Sequence, residues 1–326
     1  MNKNAYRAKL NSAILKIEKL PLHKLDSDTR ILKKAFNILY NHDVFNLYEV
    51  DLTLHNEYKF ILFSTLTKVS GSLAFLGIQI LAANVIMLMN NFPQREKYFN
   101  KQCGIAINHL RAPVTVVSAV KCEGGYTLKG TLTWASGYGI FDTLLIGFHH
   151  NGHEYEAMAS FQSSENFIVG NVATSFVGNS MATVNIELNN FFVKEEDVVS
   201  SQVMGNYTKK KSVSKTVHFA LYGLGIGAIE MLQDTEVKDS ASVQLERIKE
   251  QFLATSNGEE MDRLRIELFT LVQNIVTTGM ILYGGKSILI EEQMQRYYRE
   301  LIMFNSNGLN STIKGLFKEA FLKSHE

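Results

Sequence analysis

The chain has 326 residues, 46% of them hydrophobic and 20% charged, with a formal net charge of +1. This composition is typical of a globular protein with a large buried core and excludes a disordered chain. The balanced charge gives no electrostatic reason to expect nucleic acid or a membrane surface as a partner. Residues 1–20 lack the apolar stretch of an export signal, and Cys103 and Cys122 form no disulfide framework. We therefore expect a cytoplasmic protein that has no nucleic acid as a partner.

Residues 1–101 have the periodicity of helices. Leu32, Ala35 and Leu39 follow the 3.6-residue spacing, and the Asn-Asn-Phe-Pro segment at 90–93 ends the pattern. The sequence therefore predicts an N-terminal helical domain over these residues.

One segment of that region has to be weighed as a membrane span. Residues 73–89 are almost wholly apolar, and a span needs about 20 such residues. However, Gln79 and Asn84 interrupt the run. A helix that is apolar on all faces can also be the central helix of a large bundle. We favour the central helix and expect no membrane partner.

From residue 102 the periodicity changes to that of strands. Residues 114–120 alternate, and the Gly-Gly pair at 124–125 and the Asn-Gly pair at 151–152 are favoured hairpin turns. These signals predict a central antiparallel β domain of five to seven strands over residues 102–205. Helical periodicity then returns, which predicts a C-terminal four-helix bundle over residues 206–326. The expected fold class is α+β.

A glycine pattern at residues 223–228, Gly-Leu-Gly-Ile-Gly-Ala, fits the dinucleotide-binding fingerprint. That fingerprint has meaning only inside a strand–turn–helix–strand unit, and the sequence that follows is helical and charged. We interpret the segment as a helix whose small residues let another helix approach closely.

Three histidines, His149, His150 and His153, could be taken for a metal cluster. Adjacent residues of a strand point to opposite faces, so the first two cannot share a ligand sphere. No cysteine or further histidine has a suitable spacing. We expect no metal site.

The only tryptophan, Trp134, ends a strand pattern and is followed by Ala135-Ser136-Gly137. A tryptophan in this position is more commonly a packing residue of the β core. A bulky ring beside an open backbone can instead form a wall for a flat ligand, such as the ring system of a cofactor. On these residues alone, both interpretations stay open.

Several segments resemble motifs of the acyl-CoA dehydrogenase superfamily, and they occur in the order helices, β domain, helices that this superfamily has. The segments are residues 73–91 followed by Arg-Glu-Lys-Tyr at 95–98, Gly-Tyr-Thr-Leu-Lys-Gly at 125–130 followed by Thr-Trp-Ala-Ser at 133–136, Phe-Val-Lys-Glu-Glu-Asp-Val-Val at 192–199, Tyr-Gly-Gly at 283–285, and Arg-Tyr-Tyr-Arg-Glu at 296–300. The resemblance implies a flavin-dependent oxidoreductase with FAD or FMN, acting on an acyl-CoA thioester or a related small molecule.

The resemblance also implies site residues. In the family, the tryptophan and the following hydroxyl residue border the flavin ring, and Trp134 and Ser136 match them. Asn108, with His109 beside it, falls in the segment that lines the pyrimidine side of the ring. Gly285 matches a glycine that approaches the cofactor of a neighbouring subunit, which implies a homodimer or homotetramer.

Three departures from the family pattern bear on the chemistry. The loop that approaches the flavin pyrophosphate is replaced by residues 108–113, and the Arg-x-x-Phe-Gly segment has no match between residues 234 and 268. Asn307 stands where the catalytic glutamate of the family is expected, and an amide cannot act as a general base. Glu230 and Glu267 are alternative bases by chain region only, and a solvated surface position is the commoner role.

Three functions therefore stay open: a flavin-dependent dehydrogenase, a flavin-dependent monooxygenase of the same fold that needs no α-proton base, and a non-catalytic subunit or scaffold. In every case the C-terminal bundle holds more apolar surface than one thin bundle can bury, so we expect a homo-oligomer interface there. The apolar residues that motivate this are Phe269, Leu271, Val272, Ile275, Val276 and Met280.

Overall fold

The computed structural model describes residues 2–48, 50–99, 101–111, 114–209, 214–306 and 311–323. Helices come first, then a sheet, then helices again. The N-terminal helices are α1 (Lys3–Ile17), α2 (Thr29–Asn41), α3 (His55–Val69), α4 (Gly71–Met89) and α5 (Arg95–Phe99). The strands are β1 (Cys103–Ala106), β2 (Val117–Cys122), β3 (Gly125–Ala135), β4 (Thr143–His150), β5 (His153–Ser160), β6 (Phe167–Val169), β7 (Val184–Lys194) and β8 (Val198–Val203). The C-terminal helices are α6 (Asn206–Lys209), α7 (Thr216–Met231), α8 (Thr235–Ala254), α9 (Gly258–Tyr283), α10 (Gln293–Ser306) and α11 (Ser311–Lys323).

Helix α4 is the central helix of the N-terminal region. Ser70 caps it by accepting a hydrogen bond from Leu73 N at 3.2 Å, and the helix contacts α3, α10 and β1. Helices α4 and α9 are both long and apolar enough to cross a membrane by length and composition. However, 61% of the most apolar stretch of α4 is buried inside the protein, which is the burial expected of a core helix.

The strands form one mixed sheet in the order β6-β7-β3-β2-β4-β5-β8, and β1 also pairs with β4. Five of the pairings are antiparallel, but β1 and β2 both run parallel to β4. The α+β fold class is therefore confirmed, whereas a wholly antiparallel β domain of five to seven strands is not what the chain forms. Alternation within each strand gives no information about the direction of its neighbour, so the parallel pairs had no sequence signal.

The glycine pattern at residues 223–228 lies inside α7, as the helical interpretation predicted. A Cβ atom added at Gly223 would lie 2.1 Å from Thr67 Oγ1 and 2.7 Å from Ser64 Cα, both in α3. At Gly227 it would lie 2.4 Å from the Tyr297 hydroxyl. These glycines let α7 approach its neighbours closely, and no dinucleotide-binding turn is formed.

Helices α7 to α10 pack into a four-helix bundle, with α11 placed against α9. One hydrophobic core runs from Tyr6 in α1 through the sheet to Phe304 in α10. A smaller core lies between α4, α5, β1 and β4. The proposed domain boundaries, 101/102 and 205/206, fall between α5 and β1 and between β8 and α6.

Candidate functional site

Trp134 lies at a bulge in β3. The pairing of β3 with β7 shifts register between Leu132 and Ala135, and Trp134 has a φ of 59°. This left-handed conformation is rare for a bulky residue and turns a side chain away from its normal direction. The backbone N–H of Trp134 donates to Asn185 Oδ1 at 3.2 Å. As a result, 66% of the tryptophan is exposed, and the core-packing interpretation is wrong.

Ser136 follows the bulge and is 5% exposed. Its hydroxyl is 2.8 Å from the hydroxyl of Thr183 at the start of β7. One hydrogen is enough for the bond between two hydroxyls, so the other hydrogen of the pair is left to donate elsewhere. We call Trp134, Ser136, Thr183 and Asn185 the Trp134 surface.

Residues 170–176, which follow β6, extend the Trp134 surface. Gly170 N donates to Asn185 O at 2.9 Å, and Ala173 N donates to Thr183 O at 2.8 Å. In the same segment, Val172 and Phe176 are 50% and 59% exposed. The indole is therefore one of several apolar groups that this edge of the sheet presents to solvent.

Asp26 joins the connection between β6 and β7 to the helices. Its Oδ1 accepts hydrogen bonds from Gly178 N at 2.6 Å and from Ser72 Oγ at 3.3 Å, and its Oδ2 forms an ion pair with Arg299 of α10. Ser180 N also donates to Asp26 O at 3.0 Å. Asp26 is 4% exposed, so one buried carboxylate links Ser72 of α4, Arg299 of α10 and Gly178. Sequence reasoning missed it, because nothing in the sequence around it separates it from a surface aspartate.

The Arg-Tyr-Tyr-Arg-Glu motif lies in α10 and binds the junction between α3 and α4. Glu300 is fully buried and accepts a hydrogen bond from Gly71 N at 2.7 Å, and burial raises the pKa of its carboxyl to about 7. Arg296 donates to Val69 O and, at 2.8 Å, to Lys68 O. The motif holds helices together, since Arg296 and Glu300 bind backbone groups at the α3–α4 junction and Arg299 pairs with Asp26.

Asn108 and His109 lie in a short helical turn, Asn108–Arg111, that contacts β3 and β4. Asn108 is exposed, whereas His109 is buried with Nε2 2.9 Å from Gly147 O. Burial lowers the pKa of His109 to about 4, so the ring is neutral and has a structural role. The assignment of Asn108 to a cofactor stays a prediction.

Gly285 lies at the surface, in the turn Gly285–Ile288 that follows α9. A Cβ atom added there would meet nothing within 4 Å, so no contact of the described chain requires glycine. The surrounding residues form an exposed apolar segment, which we call the α9 tip: Ile281, Leu282, Tyr283, Ile288, Leu289 and Ile290.

The homo-oligomer interface was expected on residues of the C-terminal bundle that the single chain already buries. Phe269, Val272, Ile275 and Val276 are buried in the core of the single chain, so they leave little surface for a partner. The largest run of exposed apolar residues in the bundle is instead the α9 tip, and Val243 and Leu253 of α8 are exposed singly. A periodicity pattern cannot separate a core face from an interface face, because both are apolar.

The two glutamates considered as bases are ion-paired at the surface. Glu230 is 2.5 Å from Lys68 Nζ, and Glu267 is 2.7 Å from Arg247 Nη2, with 53% and 46% of their side chains exposed. Asn307, the position matched to the family's glutamate, lies outside the described residues.

The three histidines of the hairpin do not share a site. His149 is buried, whereas Nδ1 of His150 is 2.9 Å from Ala119 O and Nδ1 of His153 is 3.1 Å from Asn151 O. Within the described ranges, no group of three or more His, Cys, Asp or Glu side chains could hold a metal ion.

No protein-family model and no curated protein matches the chain, but solved structures do. Butyryl-CoA dehydrogenase from Megasphaera elsdenii matches with a TM-score of 0.73 at 12% identity, over 99% of both chains. KijD3, in complex with FMN and a dTDP-sugar, has a TM-score of 0.76 at 12% identity, over 98% of this chain and 94% of that one. The HsaA monooxygenase from M. tuberculosis has a TM-score of 0.71 at 11% identity, over 99% of this chain and 100% of that one.

These matches run over nearly the whole chain and include the β domain and both helical regions. The chain has the acyl-CoA dehydrogenase fold. The resemblance suggested by the sequence motifs is therefore confirmed at the level of the fold. At such low identity the matches do not transfer chemistry, which has to be argued from the residues of this chain.

The connection between α7 and α8 is short. It consists of Leu232, Gln233 and Asp234 and contains no arginine. A cavity of about 50 Å³ beside it is lined in part by Asp234 and Glu292. Asp234 accepts a hydrogen bond from Val237 N at 2.9 Å, and Glu292 is 3.3 Å from Lys286 Nζ, so both carboxylates have partners within the chain.

Proposed function

We propose that the protein is a flavin-dependent oxidoreductase that acts on an acyl thioester or a related small molecule. The observation that carries the proposal is the exposed indole of Trp134. A left-handed backbone costs about 1–3 kcal/mol, and leaving an indole in water forfeits its burial. A flat ring packed on the indole would offset both costs.

The residues of the Trp134 surface fit the ring end of a flavin. Trp134 would hold the ring by contact, and the spare hydroxyl hydrogen of the Ser136–Thr183 pair would donate to it. A bound flavin supplies two-electron chemistry at its ring. The part of this chain is to orient the ring and to place a donor where negative charge develops.

Two further residues would contact the cofactor. Asn108, in the turn beside β3, would lie on the pyrimidine side of the ring, and Gly285 would approach the cofactor of a second subunit. We propose FAD or FMN as the cofactor.

A flavin-dependent monooxygenase of the same fold is the second candidate. The observation in its favour concerns the bases: Glu230 and Glu267 are both paired with cations at the surface and are not poised to remove an α-proton. A monooxygenase reaction needs no such base.

We also propose a homodimer or homotetramer whose interface includes the α9 tip. Its six apolar residues are 42–79% exposed within ten positions of the chain. Such a concentration on a soluble surface is typical of an interface between subunits.

The colour and the flavin content of the purified protein test the proposal first. Denaturation should release FAD or FMN into the supernatant, or the apoprotein should bind one of them on reconstitution. Trp134→Ala should weaken binding by about 1–3 kcal/mol, the range for a lost aromatic contact. Phe192→Ala is the matched control, because Phe192 is a 47% exposed aromatic residue on β7 that is not part of the Trp134 surface.

Two activity assays then separate the candidates. Acyl-CoA oxidation with an artificial electron acceptor would select the dehydrogenase, whereas oxygen consumption coupled to product formation with reduced flavin would select the monooxygenase. Failure of the native protein to bind either flavin would refute both and leave the non-catalytic subunit.

A further inference from the structure

The bulge at Trp134 leaves a backbone group without its usual partner. In the ladder between β3 and β7, Leu132 pairs with Ile186 and Ala135 pairs with Val184, so Trp134 sits in the shifted part of the register. Its N–H is instead bonded to the side chain of Asn185, through Oδ1 at 3.2 Å. A bulged residue commonly loses its ladder bond, and here a side chain supplies the acceptor.

The position of Asn185 in β7 does not by itself require an asparagine. The residue is exposed, and Val184 and Ile186 on either side of it are the core residues of β7. Asparagine is also a poor strand former compared with threonine or valine. What the carboxamide does is hold the left-handed turn that directs the indole outward.

We propose that Asn185 is a positioning residue, which fixes Trp134 in the orientation that the flavin-binding surface requires. The part of the inference that concerns ligand affinity rests on the proposed function. The part that concerns the indole does not, because Asn185 acts on the backbone of Trp134 whether or not a ligand binds.

The single tryptophan of the chain makes the test direct, since all indole fluorescence comes from Trp134. Three variants are compared with the native protein: Asn185→Ala, which removes the acceptor; Asn185→Asp, which keeps an acceptor oxygen; and Asn189→Ala. Asn189 is the matched control, because it is exposed on the same strand and its side chain has no hydrogen bond to the described residues.

Asn185→Ala should shift the emission maximum and change acrylamide quenching of the ligand-free protein, whereas Asn185→Asp and Asn189→Ala should match the native protein. Far-ultraviolet circular dichroism and the unfolding temperature should stay close to native in all three, which separates positioning from general damage. With FMN as the probe, Asn185→Ala should bind about two- to tenfold more weakly, the range for one lost neutral hydrogen bond.

Native emission and quenching in Asn185→Ala would overturn the proposal. So would equal changes in Asn185→Ala and Asn189→Ala. If the native protein binds no flavin, the proposed function fails, but the comparison of the ligand-free variants still decides whether Asn185 positions the indole.

Discussion

The buried carboxylate of Asp26 should be among the most sensitive positions of the protein. Asp26→Asn keeps an oxygen for Gly178 N and Ser72 Oγ but removes the charge that faces Arg299. The side chains of Asp26 and Arg299 are only 6% and 16% exposed, so the arginine would lose its charged partner in a largely desolvated place and keep only neutral hydrogen bonds, to Gln295 Oε1 and Phe176 O. Removing one partner of a buried ion pair costs about 3–5 kcal/mol. We expect a loss of that size in the free energy of unfolding.

The loss should depend on Arg299. In a double-mutant cycle with Arg299→Met, the double variant should be less destabilised than the sum of the two single variants, because the charge left behind by one substitution is removed by the other. Urea unfolding followed by circular dichroism measures all four proteins.

An ion pair at the surface provides the control for the size of the loss in the free energy of unfolding. Lys121 and Glu195 are 2.6 Å apart but 41% and 66% exposed, so Glu195→Gln should cost less than about 1 kcal/mol. If Asp26→Asn is no more destabilised than Glu195→Gln, Asp26 does not lock the connection between β6 and β7 to the helices, and the reasoning is refuted.

Three further predictions test the packing, the pH dependence and the assembly. Gly223→Ala should destabilise the protein by about 1–3 kcal/mol through overpacking against α3. The control is Gly315→Ala, where an added Cβ meets nothing within 4 Å, and this change should stabilise the protein by about 0.5–1 kcal/mol. Equal effects of the two substitutions in urea unfolding would contradict the packing of α7 on α3. Burial raises the pKa of Glu300 from 4.5 to about 7, so between these pH values the native state holds a proton that the unfolded chain has lost. The contribution of Glu300 to the free energy of unfolding is therefore present at low pH and is lost as pH rises through about 7, by up to about 3 kcal/mol. The fall in unfolding temperature between about pH 5 and 8 should therefore be shallower in Glu300→Gln, and an unchanged slope would show that Glu300 is not the group responsible. Ile288→Asp, at a position 72% exposed, should leave the fold intact and lower the molar mass measured by light scattering, and a monomeric native protein would exclude this interface.

The sequence predicted the three-part organisation because each part has its own hydrophobic period. The apolar residues of α2 recur at helical spacing and are buried in the structure, and the glycines of α7 were correctly assigned to a close helix contact. The parallel pairings of β1 and β2 with β4 could not be predicted, since a strand's own alternation is independent of the direction of its neighbours.

The candidate site was predicted less completely. Trp134 and Ser136 were predicted through their motif, and the structure places them beside Thr183, which precedes β7, and Asn185 of β7. The exposure of the indole depends on a bulge with a left-handed backbone at Trp134. A tryptophan in a sequence does not indicate such a conformation, so the exposure could not be predicted. Asp26 depends on contacts more than 150 positions away in the chain, which local patterns do not contain.

The close approach of α7 to α3 has a consequence for synthesis of the protein on the ribosome. The surface of α3 that receives Gly223 stays uncovered until α7 has been made, 162 residues after α3 ends. At about 5–20 residues per second, α3 must wait for roughly 10–30 s before α7 covers it, and the exposed helix can associate with other chains during that time. A fragment that ends after the sheet would never acquire α7, so we expect it to be retained by chaperones or to precipitate rather than fold.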